Sequence, residues 1–261
     1  MAPYNWFFTA LIFLLIFNAC KSKEVSFKSI SIDGKLFIEK KTYDKKGNIL
    51  TEELLDKDSV RNGFYKEYIE GRVKDSGNYI NGKKEGVWSH MDITGDLIKT
   101  ENWFSGRQFG EEIEYYSMPP KEGDKIYKYS FYNVDGQKIF ESKFDFDGKL
   151  INTIGTPLFC TYNSANIHPG NTFELICFLG VPKKFDWKFS VEEIEREKQK
   201  ALMRQDFANN NLEELPFARR FYHTKLYLSK GTYDWTLFLQ IRSPVGDTLF
   251  KGSTKLTVSV Q

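Results

Sequence analysis

Hydrophobic and polar residues alternate along most of the chain, and glycines recur at regular intervals in its first half. One glycine series has a spacing of 24 residues and consists of Gly47, Gly71 and Gly95. A second series, with spacings of 23 and 24 residues, consists of Gly63, Gly86 and Gly110. The segments between them are short and rich in aromatic residues, and an Asn-Gly pair supplies the positive φ of a tight turn. The pattern predicts successive β-hairpins.

A single hairpin cannot bury its own apolar strip, so neighbouring hairpins are expected to stack into one continuous sheet. The clearest unit contains Tyr79, Asn81, Gly82, Lys83, Gly86, Trp88, Gly95 and Leu97. A second pass contains Trp103, Gly106, Gly110 and Tyr115. These units resemble the MORN-repeat variant family. The resemblance is strongest over residues 58–116, and Asp-Gly half-units on either side extend the predicted sheet to residues 25–152.

The family resemblance implies a function as a scaffold or contact surface. Members of the family are described as lipid-binding or protein-binding, and some are named as antitoxin components. The aromatic side chains that could form a contact surface are Trp88, Trp103 and Tyr115. The alternative is that these rings are the packed face of the sheet, because repeats need such a face to stack.

The second half of the chain has a different pattern. The glycine rhythm stops after Gly148, and residues 155–157 are typical of a linker. Strict alternation follows near the C-terminus, and it predicts half-buried antiparallel strands. Its apolar members are Tyr233, Trp235, Leu237, Leu239 and Ile241. The segment 230–235 resembles the tyrosine corner of immunoglobulin-like domains, with Trp235 at the position of the usual core cysteine. This resemblance implies a β-sandwich over residues 155–261, and a sandwich of another type is the alternative.

One helical insertion is expected within the sandwich. Ser190 is followed three residues later by Glu193, which is the pattern of a helical capping box. The helix is predicted near residues 190–208 and ends at the asparagines that follow. The predicted fold class is therefore all-β, a MORN-like hairpin sheet followed by an immunoglobulin-like sandwich with one helical insertion.

The N-terminus has the pattern of an export signal. Residues 1–19 carry no charged side chain, and the apolar run over residues 6–17 is too short to span a membrane comfortably. Asn18, Ala19 and Cys20 follow this run, and polar residues come after Cys20. This arrangement resembles a bacterial lipoprotein signal. The open alternatives are an uncleaved membrane anchor and an ordinary signal in which Cys20 is incidental.

The lipoprotein resemblance implies removal of residues 1–19 and attachment of lipid to Cys20. Residues 20–24 would then form the lipidated cysteine and its tether. Several acyl chains would anchor the protein stably, whereas one chain alone is marginal. Lys21, rather than Asp, after the cysteine implies delivery to the outer membrane.

The composition excludes several classes of function. The 37 Lys and Arg residues nearly balance the 35 Asp and Glu residues, so nucleic acid is not an expected partner. The three His and three Cys residues have no metal-ligand spacing, and neither a metal nor a cofactor is predicted. Paired carboxylates such as Glu111-Glu112 point to opposite faces of a strand and are expected to be solvated. No catalytic site is predicted.

Cys160 and Cys177 are the cysteines that remain after lipidation, and they could form a disulfide across a hairpin. The alternative is that Cys177 is an unpaired core residue next to Trp235. The sequence thus predicts a membrane-anchored, non-catalytic scaffold or protein-interaction module at the cell envelope, with an unidentified envelope protein as partner. The alternative function is a glycan-binding surface lipoprotein that uses exposed aromatic side chains.

Overall fold

The computed structural model describes residues 24–117, 125–162, 166–167, 172–182, 185–195, 200–208, 221–227 and 231–260. All regular structure in these ranges is β-strand, which confirms the all-β fold class. The predicted signal peptide and Cys20 lie outside the described residues. None of the described residues belongs to a helix that could cross a membrane.

The first eleven strands form one sheet in which the strands follow chain order, as the glycine pattern predicts. Hairpins are its building unit, and Asn81-Gly82 shows why the sequence folds this way. Both residues have positive φ angles, 49° and 76°, which a two-residue turn of type I′ requires. The strands are β1 Glu24–Ile32, β2 Lys35–Tyr43, β3 Ile49–Leu55, β4 Arg61–Ile69, β5 Arg72–Ile80, β6 Lys83–Met91, β7 Leu97–Phe104, β8 Arg107–Tyr115, β9 Ile126–Tyr132, β10 Lys138–Phe144 and β11 Leu150–Gly155.

The chain divides into two compact units. The first contains β1 to β5 up to Lys83, together with the turn residues Ile93–Gly95. The second contains the rest of β6 and all later strands.

Two smaller sheets follow the hairpin sheet in the second unit. One has the order β12-β14-β17 and the other has the order β13-β19-β18-β15-β16. The two sheets pack face to face, and the ring of Phe173 stacks on that of Trp235 with 5.1 Å between centroids. The strands are β12 Leu158–Tyr162, β13 Asn166–Ile167, β14 Thr172–Leu179, β15 Asp186–Glu195, β16 Lys200–Ala208, β17 Phe221–Tyr227, β18 Gly231–Arg242 and β19 Thr248–Val260.

The core of the second unit is shared between its hairpin strands and its two smaller sheets. Buried rings from β8, β9 and β10 contact rings from later parts of the chain. These rings belong to the same hydrophobic core as Phe173 and Trp235. Their centroids are 5 to 7 Å apart, within the usual range for aromatic pairs. The pairs are Phe109 with Phe178, Phe131 with Phe159, Phe140 with Phe250, and Phe144 with Phe185.

The helix predicted near residues 190–208 is not seen. Its described residues form β15 and β16, which pair with each other, and β15 also pairs with β18 along its full length. Trp187 and Phe189 are buried, whereas Asp186 and Lys188 between them are exposed. This period of two belongs to a strand. The capping-box pattern at Ser190 is a local signal, and pairing with two neighbouring strands overrides it.

Candidate functional site

Strands β6 to β10 of the second unit carry a network of charged and aromatic side chains on one face, which we call the polar face. Directly opposed residues in neighbouring strands share a face, so the register defines its rows. One row consists of Trp88, Glu101, Glu112, Ser130 and Glu141. The next row consists of His90, Lys99, Glu114, Lys128 and Lys143. Acidic side chains therefore dominate one row and basic side chains the other.

Glu101 is the centre of the polar face. Its carboxylate is buried and accepts hydrogen bonds from His90 Nε2 at 2.6 Å, Trp103 Nε1 at 3.0 Å and Lys99 Nζ at 3.1 Å. Burial by itself would raise the pKa of Glu101. The hydrogen bonds from His90 and Lys99 outweigh that effect and lower the pKa to about 2. Glu101 is therefore ionised at neutral pH, and so acidic a group is a weak base.

Glu112 extends the polar face toward β9. It accepts hydrogen bonds from Gln108 Nε2 at 2.8 Å and from the Tyr132 hydroxyl at 3.4 Å. Burial, together with the charge of Glu112, raises the pKa of Tyr132 well above its usual range. The tyrosine hydroxyl thus stays protonated and acts as a donor. Glu101 and Glu112 are thus both held by donors of the sheet itself.

The first unit has a smaller network of the same kind. Glu53 lies two repeat periods before Glu101, is buried, and accepts hydrogen bonds from Lys40 at 2.8 Å and Arg61 at 2.5 Å. Burial raises the pKa of Glu53, but these two bonds lower it by more, so the net shift is downward. The Arg61 guanidinium also lies 5.1 Å from the centroids of Tyr65 and Tyr79. A buried, compensated carboxylate is therefore a recurring feature of the repeat.

Of the three aromatic residues singled out in the sequence, Trp88 and Trp103 are brought to one lysine, and Tyr115 lies elsewhere. Trp88 is only 2% exposed, and the ammonium group of Lys84 lies over its ring at 4.0 Å. The same ammonium group lies 4.6 Å from the ring centroid of Trp103, which is half-buried. Tyr115 instead packs against the hydrophobic core. Lys84 could not be identified from the sequence, because its position over two rings depends on the register of β6 and β7.

A different aromatic cluster lies at the surface of the second unit, and we call it the Tyr116 cluster. The ring of Tyr116 contacts those of Tyr127 and Phe146 edge to face, with centroids 5.2 and 5.5 Å away. Tyr127 and Phe146 are exposed, and Lys125 Nζ lies 3.7 Å from the Phe146 ring centroid. The Tyr116 hydroxyl donates a hydrogen bond to the Phe144 carbonyl at 2.7 Å.

The paired carboxylates Glu111 and Glu112 point to opposite faces, as expected, but the expectation that they are solvated is wrong. Both are buried. Glu111 lies on the core side, where it accepts a hydrogen bond from the Tyr129 hydroxyl at 3.1 Å. The two carboxylates lie on different faces of the sheet and do not form one site.

Cys160 and Cys177 are directly opposed in β12 and β14 and are joined by a disulfide, with a Cα–Cα distance of 4.0 Å. Cys177 is fully buried in the core of the second unit. Across the described ranges, no three His, Cys, Asp or Glu side chains are grouped so that they could hold a metal ion.

Comparisons with known proteins do not assign a family or a function to this chain. No family model and no curated protein matches the chain. Among solved structures, the chain is similar to a crystal structure of TarM, with a TM-score of 0.23 and 10% identity over 55% of this chain and 23% of that one. A mutant of S. aureus TarM in complex with Fondaparinux, alpha-GlcNAc-glycerol and UDP gives a TM-score of 0.21 and 10% identity over 54% and 23%. The chain spans about a quarter of the length of these two proteins. Scores this low do not indicate a shared fold.

Proposed function

We propose that this protein is an exported lipoprotein, anchored to the membrane through Cys20, that acts as a non-catalytic protein-interaction module at the cell envelope. The cysteines carry this proposal. The chain has three, and two of them form the Cys160–Cys177 disulfide, which is typical of proteins in oxidising compartments. The third, Cys20, stands three residues after the end of the apolar N-terminal run, where a lipoprotein signal has its modified cysteine.

The chemistry of the polar face supports a non-catalytic role. Its carboxylates are held by lysine, histidine, tryptophan and tyrosine donors from their own and neighbouring strands, and Glu101 has a pKa of about 2. A general acid needs a proton to give near neutral pH, and Glu101 has none. Rows of acidic and basic side chains on one face of the sheet suit contact with a protein of complementary charge. Delivery to the outer membrane, from Lys21, is part of the proposal.

The anchor is tested by growing cells with radioactive palmitate. The wild-type protein is expected to carry the label and to sediment with membranes. Cys20→Ala is expected to lose the label and to enter the soluble fraction, because no other cysteine is free for acylation. Ser22→Ala, a substitution two residues further on, is the matched control and should behave as wild type. A Cys20→Ala protein that keeps both the label and the membrane location contradicts the anchor.

The interaction role is tested on the same cells. Mild crosslinking before lysis is expected to join one envelope protein reproducibly to the wild type and to Ser22→Ala. Repeated purifications in which no protein is crosslinked would count against an interaction module.

A second candidate function is glycan binding, and the Tyr116 cluster favours it. Tyr127 and Phe146 offer exposed rings on which the apolar face of a sugar can stack, and Lys125 next to Phe146 favours acidic sugars. Calorimetric titration with neutral and acidic polysaccharides tests this function. Tyr127→Ala is expected to weaken binding by about tenfold or more, as for a central aromatic contact. Val134→Ala, at another exposed position, is the control, and a panel without any binding would rule the function out.

A further inference from the structure

The first hairpin of the sheet exposes an unusual number of large apolar side chains. Phe27 is 63% exposed, Leu36 65% and Val25 42%. Alternate residues of a strand point to the same face, so Phe27 and Ser31 lie on one face of β1. Leu36 in β2 stands directly opposite Ser31. Val25, Phe27 and Leu36 therefore share one face of the hairpin. Nearly all of β1 is exposed, in contrast to the half-buried strands that follow it.

Among the described strands, β1 is also one of the two edge strands of the sheet, the other being β11. Its pairing with β2 runs without a register shift from Glu24 to Ile32, whereas the pairings of β2 with β3, of β3 with β4 and of β4 with β5 each contain one. Bulges are one of the devices that protect sheet edges, and β1 has none. A regular, apolar edge hairpin needs a surface to cover it.

The distance from the proposed anchor indicates which surface this is. Three residues, 21–23, lie between Cys20 and Glu24, the first residue of β1. The chain from Cys20 to Glu24 therefore spans at most about 14 Å when it is fully extended. If Cys20 carries lipid, which is the proposed function on which this step rests, then β1 starts within that distance of the lipid headgroups.

We propose that hairpin β1–β2 lies in the membrane interface, with Val25, Phe27 and Leu36 inserted at the boundary between headgroups and acyl chains. The charges nearby fit this placement. Lys21 and Lys23 lie in the tether, and anionic headgroups attract such cations. The acyl chains hold the protein on the bilayer, and the hairpin fixes how its first unit lies against it.

The test measures the environment of position 27 directly. The acylated protein is reconstituted into vesicles of phosphatidylethanolamine and phosphatidylglycerol. Phe27→Cys is labelled with the polarity-sensitive dye NBD, which reacts at that single thiol because Cys160 and Cys177 are paired. Ile93→Cys, at a turn position of the same unit that is 68% exposed, is the matched control. The dye at position 27 is expected to become brighter and blue-shifted and to be quenched by doxyl-labelled lipid, and the dye at position 93 to remain in water.

Two results with acylated protein would overturn the hairpin proposal and leave the anchor intact. One is a dye at position 27 that remains in water. The other is a dye that brightens without being quenched by doxyl lipid, which would mean that a second copy of the chain covers β1.

Failure of the anchor is recognised separately, as absence of palmitate from the same sample. The soluble chain released by Cys20→Ala is then floated with the same vesicles. Replacing both Phe27 and Leu36 by serine is expected to lower its vesicle affinity about tenfold, because two inserted apolar side chains are lost. The same replacement at Ile80 and Ile93, which are also exposed, should leave it unchanged. Equal affinities for the two double variants would overturn the hairpin proposal, and unchanged circular dichroism verifies that both are folded.

Discussion

Gly155→Ala is expected to lower the free energy of unfolding of the second unit by about 3 kcal/mol or more. Gly155 ends β11 with a φ of 85°, directly opposite Phe140 in β10. An added Cβ would stand 2.0 Å from the carbonyl oxygen of Ile139 and 2.9 Å from its carbon. A backbone carbonyl cannot rotate away as a side chain can. The pairing of β10 with β11 must therefore shift, and with it the hydrogen bond that Thr156 donates to the same carbonyl.

Gly148→Ala is the matched control for this prediction. Gly148 has a φ of 81°, nearly that of Gly155, but no atom lies within 4 Å of the position of its Cβ. Its replacement should cost only the strain of a left-handed residue, about 1 kcal/mol. Urea unfolding followed by tryptophan fluorescence measures both variants, because all four tryptophans after Cys20 lie in the second unit. Equal losses in the two variants would show that the close approach at Ile139 is not decisive.

The hairpin sheet could be predicted because its signals are local. Each turn lies within a few residues of the strands it joins, and Asn81-Gly82 adopts the two positive φ angles that its sequence favours. The repeat then places the same kind of hairpin again and again along the chain. The spacing of glycines thus contains most of what determines the order of β1 to β11.

The segment 190–208 could not be predicted in the same way. Ser190 and Glu193 have the spacing of a helix start, and no nearby residue contradicts it. What makes β15 a strand is pairing with β18, whose paired residues lie 38 to 56 positions further along the chain. Trp187 and Phe189 then fill the core. Pairing between strands that are far apart in the sequence is not marked by any local motif. The only local sign of β15 is a short alternation of apolar and polar residues.

The candidate sites show a similar limit. Tyr115 was a candidate contact ring because it belongs to the second pass of the repeat, but it continues the alternation of Ile113 along β8 and packs against the core. Its neighbour Tyr116 forms the surface cluster. The position of an aromatic residue in a repeat does not by itself tell whether its ring fills the core or lies at the surface. Position within the repeat could have indicated Glu101 as the equivalent of Glu53.

Glu101 is expected to make the second unit sensitive to acid. Its pKa is about 2 in the folded protein and near the ordinary 4.5 when the chain is unfolded. A lowered pKa means that the folded state holds the proton less tightly, so the ionised form stabilises the fold above pH 4.5. That contribution is lost as the pH falls from about 4.5 to about 2. A shift of this size corresponds to about 3 kcal/mol.

Urea unfolding of the wild type and of Glu101→Gln, measured by tryptophan fluorescence from pH 7 to pH 2, isolates this contribution. The wild type is expected to lose about 3 kcal/mol more than the variant between pH 4.5 and pH 2, because glutamine cannot titrate. Other carboxylates with lowered pKa values, such as Glu141, affect both proteins equally. Glu70→Gln, at an exposed turn, is the control and should follow the wild-type curve. Parallel curves for wild type and Glu101→Gln would mean that His90 and Lys99 do not hold the carboxylate as the geometry indicates.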